Sequence, residues 1–417
     1  MLRVMIFSFA MLYSSISIAL TMAPANPDGS ALPKECQLSL STVGNSYEIL
    51  HPQCPQHEID REGQKFMFAD TFPVSGSLSR RVHFWRKIYQ SYSIRDYVIH
   101  SKEYPELAIE VVRLDDLIDE RVKPRRTLRY RIRLAKANFL ALAKNKGVPK
   151  TQEQERLLNL SEHITDKNKY KTIAHSLRAQ RGQKEFFLRG VAAAHRYLPH
   201  ILPHFEELGI PSELAYIAFV ESSFNLKAVS KVGASGVYQI MPFIARKKMI
   251  LNQSIDERRD PIKSGRIAAW LFHDNLRLTG NWPLAVTAYN HGPFGIRRAI
   301  RRVGSDRLED LISSYSKKRF GFASKNFYAE FIAAAMVAKP LVEGYRAEDH
   351  ATPLSFRELT LERSTNIGSV LKTYNIDRET LAELNPDILP RAIRSSKTKL
   401  PKGFILKLPP EEPSPLS

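Results

Sequence analysis

Between residues 186 and 339 apolar side chains recur at helical spacing, broken only by glycine and proline, and this restricts the segment to a helical lobe. Gly209 ends one helix and Pro211 opens the next; further helices are expected over 263–278, 282–290 and 326–339. No alternating strand pattern competes there, except a small hairpin around 233–240. The expected fold class is therefore mainly α. A chain of 417 residues exceeds one ordinary core, so this lobe should have neighbours.

Charge and the first residues bound the setting. A formal net charge of +19 favours a polyanionic partner: nucleic acid, acidic lipid or an acidic cell wall. No zinc-finger spacing, P-loop or aromatic RNP-type strand accompanies the charge, so no nucleic-acid partner is expected. Arg3 precedes an apolar run over 4–20 that Ser14, Ser15 and Ser17 interrupt, and Ala23-Pro24-Ala25 follows at cleavage spacing. Residues 1–25 thus read as a secretory signal peptide, with an uncleaved membrane anchor as the alternative. Export to the periplasm or cell envelope is the expectation. Cys36 and Cys54 then read as one disulfide; His51 and His57 flank Cys54, but zinc clusters use tighter paired spacings.

The rest divides by composition. Residues 26–79, rich in Pro, Gly, Ser and Gln, read as an irregular tether holding the Cys36–Cys54 loop. Residues 80–180 read as a basic helical extension, with stripes at Trp85, Ile88 and Tyr89, at Leu114, Leu117 and Ile118, and at Leu134, Ala137 and Leu140. Arg125, Arg126, Arg129, Arg131 and Arg133 form either a solvated face or a groove that attracts an anionic polymer. Residues 181–345 form the helical lobe. Beyond about 350 two short helices over 365–381 and a closing strand over 404–408 mark a small module at 350–410.

The chemistry gathers in the lobe. After Pro211, Leu214, Ile217, Ala218 and Glu221 fall at i, i+3, i+4 and i+7, so Glu221 continues a buried stripe near a helix C-terminus. Desolvation and the helix dipole both favour a protonated carboxyl, the state a general acid needs. Trp282, Ala285, Val286 and Tyr289 share a second stripe, which turns the Tyr289 phenol inward, where it could bond the carboxyl or simply fill the core. Asn290 follows at the helix end, placed to hold a sugar amide. Asp256, Glu257 and Asp260 are interleaved with Arg258 and Arg259 and read as a structural ion-pair loop. No acid on an apolar stripe close to Glu221 offers itself, although most glycosidases need two carboxylates. One lone buried Glu fits a substrate-assisted reaction.

Four blocks in order carry a family resemblance: Glu221-Ser222-Ser223-Phe224, the run from Gly233 through Gln239, the run from Asp256 to Asp260, and Ala288-Tyr289-Asn290-His291-Gly292. The stretch from about 181 to 339 resembles the catalytic domain of the lytic transglycosylases, of the membrane-bound D type. The resemblance implies a goose-lysozyme-like helical lobe that cleaves the β-1,4 bond between N-acetylmuramic acid and N-acetylglucosamine and leaves 1,6-anhydro ends. It implies Glu221 as the sole acid/base and Tyr289 as the catalytic tyrosine bonded to its carboxyl. Ser230 would sit near the N-acetyl group, with Tyr238, Gln239, Met241 and Asn290 as further substrate-binding residues. Val237-Tyr238-Gln239 stands where the family commonly has Leu-Trp-Gln or Leu-Met-Gln, which bears on one sugar subsite. No metal or organic cofactor is implied. The expected partner is the glycan strand of peptidoglycan, with association at a wall or membrane surface. Residues 354–409 resemble a diverged LysM module, with Arg363-Ser364-Thr365 near the place of the usual Gly-Asp-Thr opening. A hydrolytic muramidase on the same fold and a non-catalytic wall-binding protein are the competing readings.

Overall fold

The structure, a computed structural model, describes residues 20–22, 38–43, 46–50, 70–74, 76–114, 124–344 and 352–411. The chain divides into two units, 1–65 with 344–349 and 66–343 with 350–417. In the first, β1 (Leu20–Met22), β2 (Leu38–Val43) and β3 (Ser46–Leu50) form an antiparallel sheet in that order. The tether expected over 26–79 is therefore not wholly irregular: β2 and β3 pair as a hairpin, with Val43 opposite Ser46. Cys36, Cys54 and most of the signal segment lie outside the described residues.

The second unit opens with α1 (Gly76–Gln90), then β4 (Asp96–Ser101), β5 (Ala108–Arg113), α2 (Pro124–Lys144), α3 (Gln152–Leu160), α4 (Lys169–Ser176) and β6 (Leu177–Arg181). Here the helical expectation for 80–180 is corrected. The three strands form one antiparallel sheet in the order β5-β4-β6, because Tyr97-Val98-Ile99 and Ile109-Glu110-Val111-Val112 are β-branched and aromatic runs too short to show a helical period. The stripe at Leu134, Ala137 and Leu140 also faces solvent. Leu128, Ala135, Phe139 and Leu142 are the buried set, packed against Ile99, Ile109, Leu157 and Ile173. Leu117 and Ile118 lie outside the described residues.

The lobe continues with α5 (Lys184–Glu206), a 3₁₀ turn (Ser212–Tyr216), α6 (Ile217–Ser222), α7 (Pro242–Lys248), a second 3₁₀ turn (Glu257–Arg259), α8 (Pro261–Thr279), α9 (Trp282–His291), α10 (Pro293–Val303), α11 (Leu308–Ser314) and α12 (Phe322–Glu343). The expected junction at Gly209 and Pro211 differs in detail: α5 ends at Glu206, Gly209 takes a left-handed φ of 63° in the loop beyond it, and Pro211 precedes a 3₁₀ turn rather than opening an α-helix. Pro261 opens α8 behind the Asp260 cap, which accepts from Ile262 and Lys263 N–H at 2.9 and 3.1 Å. Asn281 caps α9 through Leu284 N–H at 3.1 Å. Gly280 and Gly304 close α8 and α10 in the left-handed region, at φ 88° and 74°. Helix α12 is apolar nearly all round, as a helix enclosed by others must be: Phe327, Tyr328, Phe331 and Ile332 are buried, and α1, α5, α6 and α9 pack around it. Since α1 lies on α12, the lobe recruits residues well before 181.

The last module comprises β7 (Arg357–Thr360), β8 (Thr365–Asn366), α13 (Ile367–Thr373), α14 (Arg378–Leu384), α15 (Pro390–Ile393), β9 (Lys399–Leu400) and β10 (Ile405–Leu408), with β7 paired to β10 and β8 to β9, both antiparallel. Its core of Leu361, Val370, Leu381, Leu400 and Phe404 is completed by Ile255 from the lobe. Lys263 donates to Asp387 at 2.7 Å, Glu257 at 3.1 Å and the Ile405 carbonyl at 2.9 Å. Lys407 bonds Asp260, and both are essentially inaccessible. These buried ion pairs join the module to the base of α8. Among the described residues no helix is long and apolar enough to cross a membrane.

Candidate active site

The 3₁₀ turn and α6 deliver Glu221. Leu214, Ile217 and Ala218 are fully buried, and Glu221 follows them half-buried in the last turn of α6. The helix stops through two left-handed residues, Ser223 and Phe224 at φ 51° and 55°. Their N–H groups donate to Phe219 and Ala218 carbonyls at 2.9 and 3.1 Å. Helix α5 presses against this end at Gly190, where a Cβ would fall 2.2 Å from the Ser223 carbonyl oxygen. Only glycine permits that approach. Burial pushes the Glu221 carboxyl up to about 8.

A chain reversal over 228–241 forms the opposite wall, as a series of tight turns rather than a regular hairpin, with single bridges from Ser235 to Val229 and Ile240. Arg258 pins it. Its guanidinium forks onto Asp256 at 2.8 Å twice and donates to the Gly233 and Ile240 carbonyls at 2.7 and 3.2 Å. Gly236, at φ 76°, lies so close that a Cβ would meet the Arg258 carbonyl oxygen at 1.8 Å. Gln239 holds a left-handed φ of 49°, and its amide donates to the Gly236 carbonyl at 2.9 Å. Ser230 Oγ accepts from Ala234 N–H at 2.9 Å, which leaves its own proton uncommitted among the described residues.

Between these walls lies a cleft of about 320 Å³. It is lined by Glu221, Ser230, Gln239, Met241, Tyr289 and Asn290, with Ile244 and Leu271 as further apolar lining and the exposed Val232 at its rim. Six of the seven expected site residues thus meet in one cavity. Tyr238 is the exception. It is wholly buried, and its hydroxyl donates to the Ala215 carbonyl at 3.1 Å, so it backs the cleft and cannot touch a sugar. The expected bond from the Tyr289 phenol to Glu221 is also corrected. The hydroxyl donates instead to the Tyr238 carbonyl at 2.8 Å, with its ring stacked on Phe272 at 4.8 Å. Its oxygen keeps lone pairs for a protonated neighbour. Asn290 Oδ1 accepts from Ser324 at 2.9 Å, leaving its amide hydrogens for a ligand.

The structure supplies a second carboxyl that sequence reasoning missed. Glu330 on α12 is raised to about 8, first by burial and then by Glu221, with Arg178 pulling the other way. Burial, then Glu330 and Glu221, likewise raise the Tyr89 phenol of α1. Phe327, one turn before Glu330, runs parallel to the Tyr289 ring at 6.4 Å. Arg178 is itself held over the Phe322 ring at 4.1 Å. Glu330 is not part of the cleft wall. Its signal was present in the sequence, as the only charge between Lys325 and Lys339 in an apolar helix. Among the described residues no His, Cys, Asp and Glu side chains cluster to hold a metal.

Comparison with known proteins bears on the same segment. In a protein of Alteromonas sp. strain M-1 whose name refers to tributyltin chloride resistance, 114 residues are 36% identical, covering 27% of this chain and 55% of that one. Membrane-bound lytic murein transglycosylase D of Escherichia coli strain K12 is 31% identical over 130 residues, 29% of each. The chain thus spans about half the length of the first relative and under a third of the second. An X-ray structure of the lytic transglycosylase Slt of Pseudomonas aeruginosa overlaps 53% of this chain and 33% of its own at 18% identity and a TM-score of 0.29, too loose a likeness to argue from. Residues 207–312, which hold Glu221, the turns over 228–241 and the Tyr289-Asn290 pair, match the family described as Transglycosylase SLT domain.

Proposed function

We propose that this protein is a peptidoglycan lytic transglycosylase of the cell envelope, with Glu221 as its single acid/base. The observation that carries the reading is a carboxyl, pushed up to about 8 by burial, lining a cleft with Ser230, Gln239 and Asn290 inside the segment that matches the transglycosylase domain. Glu221 gives its proton to the glycosidic oxygen as the bond from C1 of the N-acetylmuramic acid breaks. The N-acetyl carbonyl of that sugar stabilises the cation. The Glu221 carboxylate then takes the proton of the 6-hydroxyl as that oxygen bonds C1, closing the 1,6-anhydro ring and restoring the acid. Tyr289 is a positioning residue: with its proton spent on the Tyr238 carbonyl, its oxygen can only accept, and it lines the same cleft as the Glu221 carboxyl. Ser230 and Asn290 offer free donors to the substrate amide groups.

Most glycosidases that hydrolyse with water carry a second carboxylate in the cleft to activate it. Glu330 stands behind the wall and does not reach the cavity, which favours the substrate's own hydroxyl as nucleophile. Like Glu221, it resists ionisation, and the pair keeps one proton available near neutrality. The last module we read as LysM-like in fold and as a buttress of α8, on the strength of Ile255 and the Lys407–Asp260 pair. Turnover of purified sacculi by the folded Glu221→Gln protein tests the assignment. A loss of about 10²–10⁴-fold or more is expected for removal of the acid, and near-normal turnover would sink it.

A further inference from the structure

Next to the catalytic cleft lies a larger cavity of about 1010 Å³, at the upper end of the roughly 300–1,000 Å³ usual for ligand pockets. Asn290 lines both. Six cations surround this second cavity: Arg298, Arg301 and Arg302 from α10, and Lys317, Lys318 and Arg319 from the loop before α12. No carboxylate lines it, and none of the six makes an ion pair among the described residues. A charge run on a helix is ordinarily a solvated face, and these side chains are exposed. Here, however, two separate segments aim their charges at one concavity, which like-charge repulsion disfavours unless an anion occupies it. The other basic cleft of the lobe, at Arg246, Lys247 and Lys248, contains Glu257 and Glu358 and so answers part of its own charge.

The back of the cavity is rigid. His291 points its Nδ1 at Ser324 Oγ, 3.2 Å away, and packs edge-on against Phe320 at 5.1 Å. Phe320 in turn meets Tyr315 at 5.5 Å. Burial, then Arg298, lowers the His291 pKa, so the ring adds no charge of its own. Ser324 joins His291 to Asn290, so one hydrogen-bonded chain forms the partition between cavity and cleft.

We propose that this cavity is a subsite for the free carboxylate groups of the peptide carried by the muramic acid of the substrate glycan. It rests on the transglycosylase reading, which puts peptide-bearing glycan beside Asn290. The peptide branches from the glycan, and a concavity opening beside the cleft suits a short anionic branch better than a long polyanion, which requires a continuous basic track. Arginine forks onto carboxylates in pairs, and lysine adds mobile charge. The subsite would select glycan strands that keep their peptides with carboxyls free over stripped or amidated strands.

The test uses the full chain and the triple variant Arg298→Gln, Arg301→Gln, Lys318→Gln, whose positions are exposed and outside the catalytic machinery. Binding of a soluble muramyl tetrapeptide with free carboxylates is measured beside its fully amidated analogue and a single-stranded oligonucleotide. Cleavage of peptide-bearing and of enzymatically stripped glycan strands is measured in parallel. Amidation and the triple variant should each weaken tetrapeptide binding about tenfold or more. The variant should raise KM on peptide-bearing strands and leave stripped strands untouched. Equal binding of the free and amidated peptides, or equal losses on both strands, would overturn the subsite. Tighter binding of the oligonucleotide than of the peptide would overturn it in favour of a phosphate polymer. If the wild type cleaves neither strand yet binds the free peptide selectively, the subsite stands and the transglycosylase reading falls.

Discussion

Replacing Glu221 by glutamine tests the buried carboxyl independently of any substrate. Burial holds this group at about 8 against an ordinary value of 4.5. A carboxyl raised in the folded state costs nothing below its unfolded pKa. As pH climbs from 4.5 to about 8 the unfolded chain ionises first, stability falls steadily, and above that the loss is constant. At about 1.4 kcal/mol per pH unit the interval sets a ceiling near 5 kcal/mol. Because the side chain lines an open cleft and is only half-buried, solvent screening reduces this to roughly 1–3 kcal/mol. Glutamine keeps the shape without the charge, and relief of Glu330 acts in the same direction. A change of about 1 kcal/mol moves Tm by about 2–4 °C in a lobe of this size. Thermal melts across pH should therefore coincide for wild type and Glu221→Gln near pH ~4 and diverge above it, the variant melting roughly 3–10 °C higher by pH ~9. An offset independent of pH, or an advantage that shrinks as pH rises, would refute the desolvation argument.

Other perturbations follow from the same geometry. The acid must carry its proton, so turnover should fall as pH rises through about 8, and Glu330→Gln should move that limb to lower pH by removing a neighbouring charge; an unmoved limb would separate Glu330 from the site. Tyr289→Phe strips the donor from the Tyr238 carbonyl, so it should destabilise by about 1–3 kcal/mol as well as lower kcat, measured by denaturant melts and initial rates. Lys407→Met leaves the Asp260 carboxylate buried without its ammonium and should cost about 3–5 kcal/mol. Deleting the chain after 350 uncovers Ile255 and Lys263 in the lobe, so the truncated protein should melt much earlier; an unchanged melt would make the module independent.

The helical lobe was legible because its boundaries are chemical. Pro261, Gly280, Asn281 and Gly304 each do what their backbone preferences dictate. The stripe through Leu214, Ile217 and Ala218 likewise brought Glu221 to the wall of a cleft. The sheet of β4, β5 and β6 was not legible, since β6 joins β4 from far along the chain and short strands resemble helical turns in apolar content. Leu134 and Leu140 misled for a related reason: two stripes of α2 were apolar, and only tertiary packing chose Phe139 and Leu142. Glu330 carried the same signal as Glu221, a carboxyl set in an apolar helix, but its nearness to Glu221 exists only once α12 packs on α6. Tyr238 fell beside true cleft residues in sequence, and the left-handed turn at Gln239 sends it to the other side.

Mass analysis of the fragments released from purified sacculi tests the central claim most directly. If Glu221 serves the 6-hydroxyl of the same sugar, every new muramic acid end is a 1,6-anhydro end, and released fragments lack the mass of one water relative to hydrolysis products. Reducing ends in their place would mean that water attacks and that the cleft is a muramidase, while no fragments from the folded protein would leave Glu221 a buried carboxyl without a reaction.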